Sequence, residues 1–450
     1  MKLNLHKKRK MTESLITTTL EDSGKGGVVK KTTLPSGLKI ITESIPTVRS
    51  AAVGYWVATG SRDEEIPEAG AAHFLEHLLF KGTPSRTAMQ ISSSIEAIGG
   101  DMNAFTTQEY TCFHAKVLDR DVNLVIETLS DMLTSSNVTN EDVDQERNVV
   151  LEEISMHEDE PNELAYDNWS QNLLGDQPIG RPIIGTRQSI SDMTREQVYG
   201  FYKKFYSPER TVISIAGNIS HEEVVQKIIA SLKNTDWDKT NQKPLPARSS
   251  EKLSSKGSGS IVVTKDTEQA HLVWGVPAID RHDERRYTLA VLSAALGGGM
   301  SSRLFQEIRE KRGLVYTVYS FAHHYTGIGV YGIYAGTTKD KVNEVLKIIK
   351  EELSDVAKNG LKEEELIRGK GALRGGLVLG LEETNSRMTR IAKGELLYDE
   401  YISIDDAINK IDSVSAEDIK SLAAEIFNQN GLLCVVGSFE NPDQFKHLVV

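Results

Sequence analysis

Cysteine is scarce in this chain. There are two in 450 residues, Cys112 and Cys434, far apart in apolar runs. They make no disulfide framework, and each reads as a buried thiol in a reducing compartment. A surplus of basic residues is also missing: 52 Lys and Arg stand against 64 Asp and Glu, a formal charge of −12. A nucleic-acid binder carries a basic footprint instead. No apolar stretch approaches the roughly 18 residues of a membrane span, so neither nucleic acid nor membrane is an expected partner. The first 28 residues begin basic but lack the apolar core of a secretory signal. Glu13, Glu21 and Asp22 are out of place in an organellar transit peptide. Residues 1–28 are therefore expected to be a flexible tail, with Met11 an alternative start, and the protein to be cytoplasmic.

What is present suffices for more than one core, since 39% of so long a chain is hydrophobic. An internal repeat organises it. "TREQVYGFYKKFYSPERTVISIAGNIS" (194–220) has a counterpart in "SAEDIKSLAAEIFNQNGLLCVVGSFE" (415–440), and "DVNLVIETLSDML" (121–133) in "KVNEVLKIIKEEL" (341–353). The first pair predicts a capped amphipathic helix running into an aliphatic strand that stops at Gly217 or Gly437. The second pair has the i, i+3, i+4 spacing of a helix. Between the halves, residues 241–260 are rich in Pro, Ser, Gly and Lys, as a linker would be. The expected architecture is α+β, with two sandwich domains of the same fold. The first spans 29–236, the linker 237–259 and the second domain 260–450.

"AAHFLEHLLFKGT" (71–83) sets two histidines and a glutamate in an apolar run. On a helix, His73 and His77 share one face with Glu76 beside them. Two imidazoles so spaced can grip one zinc ion, and the glutamate can reach a metal-bound water; this is the inverted zinc motif, His-x-x-Glu-His. A third ligand is needed, and "EDVDQERNVVLEEISM" (141–156) offers it. A helical projection puts Val143, Val149, Val150 and Ile154 on one face, with Glu146 and Glu153 within it. Carboxylates on a core-facing stripe call for a cation or strong donors. Glu153 is then the ligand, and Glu146 orients a histidine. The repeat supplies a control. It sets His73, Glu76 and His77 opposite Ala290, Ser293 and Ala294, and Glu146 and Glu153 opposite Gly369 and Gly376. The polar set belongs to one half only.

With these motifs, with "GGDMNAFTTQEYT" (99–111) and with "GGGMSSRLFQEIREKRGLVYTVYS" (297–320), residues 29–440 resemble the pitrilysin/insulinase-like zinc metallopeptidases. Within that family they are most similar to the β subunit of mitochondrial processing peptidase and its bacterial relatives. The resemblance implies one zinc per chain on His73, His77 and Glu153, with Glu76 as general base. It implies two similar α+β domains forming half of a clamshell chamber. Asn103 and Ala104 would sit on an edge strand and hold an extended peptide by its backbone. Arg309 and Tyr316 match the family's arginine–tyrosine pair, which binds substrate and stabilises the tetrahedral intermediate. Since the chain is about half the length of single-chain members, the pair would complete a partner's site in a homodimer. The expected activity is endopeptidase cleavage of short or unfolded peptides. The alternatives are a non-proteolytic scaffold like the respiratory-complex core subunits, or a catalytic subunit active only with a distinct partner chain.

Overall fold

The computed structural model describes residues 15–22, 27–175, 177–250, 252–255, 257–441 and 443–448. The first half builds β1 (Ile16–Asp22), β2 (Val28–Thr33), β3 (Lys39–Ser44), β4 (Ser50–Val57), β5 (Asp101–Thr106), β6 (Thr111–Leu118) and β7 (Thr211–Gly217). The second builds β8 (Gly259–Thr264), β9 (Ala270–Ala278), β10 (Val315–His324), β11 (Gly329–Thr337) and β12 (Leu432–Gly437). The first sheet runs β1-β2-β3-β7-β4-β6-β5 and the second β10-β11-β9-β12-β8. Five strands of each match in order. The single parallel pairing of each sheet, β3 with β7 and β8 with β12, falls at the same place. The repeated helices lie where the periodicity puts them, at Val122–Ser135 and Val342–Asn359, and at Arg195–Phe205 and Ala416–Phe427 behind capping residues Thr194 and Ser415.

One face of each sheet carries its own half's helices, over cores that include Phe74, Leu75 and Phe113 in the first half and Leu292, Tyr331 and Val435 in the second. The other face is covered by a helix from the opposite half. Pro161–Leu174 crosses to β9 and β12 with Trp169, Leu173 and Ala165 buried. Thr384–Lys393 crosses to β3, β4 and β7 with Met388, Ile391 and Ala392 buried. Two glycines explain how closely these helices approach. A Cβ on Gly275 would collide with the Trp169 indole, and one on Gly54 with the Met388 sulfur. Trp169 and Met388, like Gly54 and Gly275, are separated by the offset of the sequence repeat. The exchange is reciprocal. A linear cut of the chain at 236 and 260 therefore describes the two sheets but not these two helices, and Trp237, placed in the linker, is 4% exposed within the first core.

Charge reinforces the junction. The carboxylate of Glu109, which is 3% exposed, accepts from Arg62 at 2.6 Å and faces Arg281, also at 2.6 Å, and from the Thr326 N–H at 3.3 Å. The contacts with Arg281 and Thr326 join the β5–β6 loop of one half to the segment after β9 and to the β10–β11 loop of the other.

The expectation of a tail over residues 1–28 needs correction. Ile16–Asp22 is a strand, paired antiparallel with β2 from Ile16 opposite Thr33 to Asp22 opposite Val28. Its "ITTTLED" is rich in β-branched residues, which favour strands, and the sheet edge beside it offers unpaired backbone groups. Residues 1–14 and 23–26, with Met11 among them, lie outside the described residues. No helix among the described residues is long and apolar enough to cross a membrane. Cys112 and Cys434 are buried free thiols.

Candidate metal centre

The helix Ala71–Leu79 begins at Gly70, whose φ of 93° suits glycine and turns the chain into the first turn. The buried carboxylate of Glu64 then accepts from the N–H groups of Gly70 at 2.9 Å and Ala72 at 2.8 Å. An acceptor there satisfies amides that the first helical turn leaves free. Burial pushes the Glu64 pKa up to about 8 against those two hydrogen bonds. Ala71, Phe74, Leu75 and Leu78 face the core, leaving His73, Glu76 and His77 toward the helix Asn140–Asp159 and strand β5.

Asn140–Asp159 starts at Thr139, whose hydroxyl accepts the Asp142 N–H at 3.1 Å in a capping box. Val143, Val150 and Ile154 are buried, but Val149 is 45% exposed. At about 100° per residue Val149 lies well round the helix from Val143, so it does not belong to the apolar face on which the projection set it. Glu146 lies inside that face and is 5% exposed, whereas Glu153 stands at its margin, half-buried.

These two helices bring His73, His77 and Glu153 together, with one ligand atom from each lying within 4.8 Å of the other two. His73 Nε2 and His77 Nε2 are 3.3 Å apart, and Glu153 Oε2 lies 3.9 and 3.6 Å from them. Zn–N distances near 2.0–2.1 Å give a tetrahedral edge of about 3.3 Å, so this donor set fits zinc. Two facing imidazole nitrogens and a carboxylate also need a shared cation or proton between them. The His77 Nδ1–H donates to Glu146 Oε1 at 3.0 Å, which leaves the Nε2 lone pair directed at the cluster. Lys81 pairs with the other oxygen of Glu146.

Electrostatics follow from burial and neighbours. Burial, with the charge of His77 adding, brings His73 down to about 4, so its ring is neutral and able to ligate at ordinary pH. For His77 burial also opposes protonation, but the hydrogen bond to Glu146 and the negative charges of Glu153, Glu146 and Glu76 outweigh it and raise its pKa. Burial opposes ionisation of Glu146, yet His77 and Lys81 hold its pKa below the ordinary value. Glu76 is 9% exposed, and burial raises its pKa despite a 2.5 Å hydrogen bond that its Oε2 accepts from the Thr106 hydroxyl.

Asn103 and Ala104 lie on β5, which among the described residues pairs only with β6 and so has one open edge. The Ala104 N–H is turned from the ladder and donates to Asn103 Oδ1 at 2.8 Å. Arg309 and Tyr316 meet each other: the guanidinium lies 5.0 Å from the Tyr316 ring centre and 4.7 Å from that of Phe305. Tyr316 is 74% exposed on β10, the edge strand that answers to β5 in the repeat. The structure groups this pair in the second half and the histidine–glutamate cluster in the first.

Three contributors escape a reading of the sequence. Thr106 shares a strand face with Ala104, and the two-residue period along β5 could have flagged it. Glu64 and Lys81 carry no local signature; only the path of the chain brings them to the helix end and to Glu146.

Residues 39–187 match the family model "Insulinase (Peptidase family M16)" and residues 192–373 the model "Peptidase M16 inactive domain". His73, His77 and Glu153 all lie within the span of the first model. An uncharacterized zinc protease of Streptomyces coelicolor is 45% identical over 416 residues, 92% of this chain and 91% of that one. One from Mycobacterium tuberculosis is 41% identical over 93% of this chain and 96% of its own, and one from Bacillus subtilis 39% identical over 92% and 99%. Among solved structures, a protease from Helicobacter pylori superposes with a TM-score of 0.83 at 22% identity, covering 90% of this chain and 98% of that one. With relatives this similar over nearly their whole length and both family models in sequence order, the chain belongs to the M16 (insulinase) family of peptidases.

Proposed function

We propose that this chain is a zinc-dependent endopeptidase acting on short or unfolded peptides. The observation that carries the reading is the convergence of His73, His77 and Glu153 beside Glu76 in one half, where the other half has Ala290, Ala294, Gly376 and Ser293. A fold-bearing role would call for similar residues in both copies. Zinc held by the three ligands supplies Lewis-acid chemistry, polarising a peptide carbonyl and acidifying water.

The remaining steps fall to side chains. The open edge of β5 at Asn103–Ala104 takes an extended peptide as an added strand, which requires backbone hydrogen bonds and little side-chain pattern. Glu76 keeps one oxygen on the Thr106 hydroxyl and has the other free to take the proton from the attacking water and return it to the leaving amine. Glu146 holds the His77 ring in its ligating tautomer. The test is elemental analysis with a peptide-cleavage assay. About one zinc per chain and loss of cleavage with a chelator are expected, and His73→Ala or Glu153→Ala protein should purify without metal. Stoichiometric zinc in both variants would remove these residues from the ligand set.

The same reading makes the working enzyme a homodimer, half of a closed chamber being contributed by each copy. Arg309 and Tyr316 lie in the second half, apart from the cluster that the first half of the same chain carries, which supports their action on a partner's site. A twofold dimer then has two identical sites, each built from both chains. Glu76→Gln and Arg309→Ala proteins, each nearly inactive alone, should regain activity when mixed. With random exchange half the dimers are mixed, and each mixed dimer holds one intact site, so recovery approaches roughly a quarter of wild type. No recovery despite demonstrated exchange would mean that the pair does not act across subunits.

A further inference from the structure

The second half has a cavity of about 390 Å³ beside the place where the first half carries its metal cluster. Ala290, the counterpart of His73, lines it, as does Leu377, which follows the counterpart of Glu153. Loss of the two larger polar side chains has left space, and new groups face it. The cavity lies where the second half's own helices, Arg286–Gly297 and Glu363–Gly380, approach the helix Thr384–Lys393 that crosses to the first sheet.

Two arginines line this cavity, and each lies against an aromatic face. The Arg286 guanidinium lies 5.0 Å from the Tyr287 ring centre and 5.1 Å from that of Tyr398. Its nearest carboxylate is Glu284, at 3.4 Å and 75% exposed. The Arg390 guanidinium lies 5.2 Å from the Tyr401 ring and donates to the Ile402 carbonyl at 2.8 Å. Its Nη2 donates to the Tyr401 hydroxyl at 3.2 Å and lies 3.6 Å from Glu43 Oε2, while Arg387 takes the other oxygen of Glu43. Stacking on a ring fixes a guanidinium and leaves those of its five N–H groups that have no other acceptor able to donate to a ligand. The other walls include Leu377, Ile391 and Ile402, and the volume is that of a small-molecule site.

We propose that this cavity binds a carboxylate carried on an apolar body, with Arg286 and Arg390 taking the carboxylate and the aliphatic wall taking the body. The chemistry fits the free C-terminus of an apolar peptide and equally a medium-chain fatty acid. The site is separate from the cluster on His73, His77 and Glu153, and the inference stands whether or not that cluster proves catalytic.

Calorimetric titration of the zinc-loaded full chain tests it with three probes: N-acetyl-leucyl-leucine, its C-terminal amide, and octanoate. The peptide acid, octanoate or both should bind, and the amide should bind at least about tenfold more weakly, because charge-assisted hydrogen bonds to the carboxylate are lost. Binding of the peptide acid alone identifies a peptide terminus as the source, and binding of octanoate alone a fatty acid. Ala290→Phe fills the cavity, and Arg286→Gln removes one fork. Each should weaken the bound acid at least about tenfold while zinc content and melting temperature stay at wild-type values. Arg390→Gln should do the same, and if it fails to fold the other two variants still decide. Equal binding of acid and amide, no binding of either acid, or unchanged binding in Ala290→Phe and Arg286→Gln would overturn the proposal.

Discussion

Glu76→Gln protein is expected to retain its zinc and to cleave peptides at least about 10²–10⁴-fold more slowly than wild type, the range that general-base catalysis contributes. The substitution is nearly isosteric. A glutamine carbonyl can still accept from the Thr106 hydroxyl, so the side chain stays in place at 9% exposure. His73, His77 and Glu153 remain as they were, and so does the Glu146 hydrogen bond that orients His77. The change removes the carboxylate that can take a proton. Elemental analysis separates this outcome from loss of the metal, and melting temperature separates it from loss of the fold. A variant that binds zinc and cleaves at the wild-type rate would show that Glu76 is not the base.

Trp169→Ala is expected to destabilise the protein by about 3–5 kcal/mol, the usual cost of truncating a large buried aromatic. The ring is fully buried, at 5.5 Å and 90° to Phe321 and 5.7 Å from Tyr166, in the space that Gly275 leaves free. Its indole N–H donates to the Leu432 carbonyl at 3.2 Å, so truncation opens a cavity and leaves a buried acceptor unpaired. The helix Pro161–Leu174 follows directly on the one that carries Glu153, so loosening it also releases the far end of the metal-binding helix. Urea unfolding with an unchanged slope and a lowered midpoint is the expected result. A shift of under about 1 kcal/mol would mean that the crossing helix contributes little to the joined structure.

Much of this molecule is written in local patterns. The strand and helix periods, and the capping residues Thr139, Thr194 and Ser415, set the elements, because backbone preference and the period of apolar side chains act over a few residues. The metal motif belongs to the same class: i, i+4 spacing on one helix puts His73 and His77 on a common face whatever surrounds them. The repeat extended that reach, since two copies of one fold reveal which residues the fold itself does not require. It singled out Glu146 and Glu153 without showing how far each is buried. The misplacement of Val149 shows the limit, for a projection judges faces by residue type, while only packing shows where a face ends.

Other features depend on contacts between residues far apart in the chain, and no local pattern carries them. Residues 16–22 are the exception, because their partner β2 begins at Val28 and the β-branched run ITTTLED is itself a local strand signal. Glu64 and Lys81 reach the metal helix and Glu146 only when the chain has closed around them. The exchange of Trp169 and Met388 between halves shows in sequence as two ordinary glycines and two helices. Composition and periodicity determined that this protein is two copies of one α+β fold with a polar cluster in the first. Tertiary structure decided that each copy is completed by a helix of the other, because a sheet with two apolar faces must cover both, and the chain met that need by crossing over.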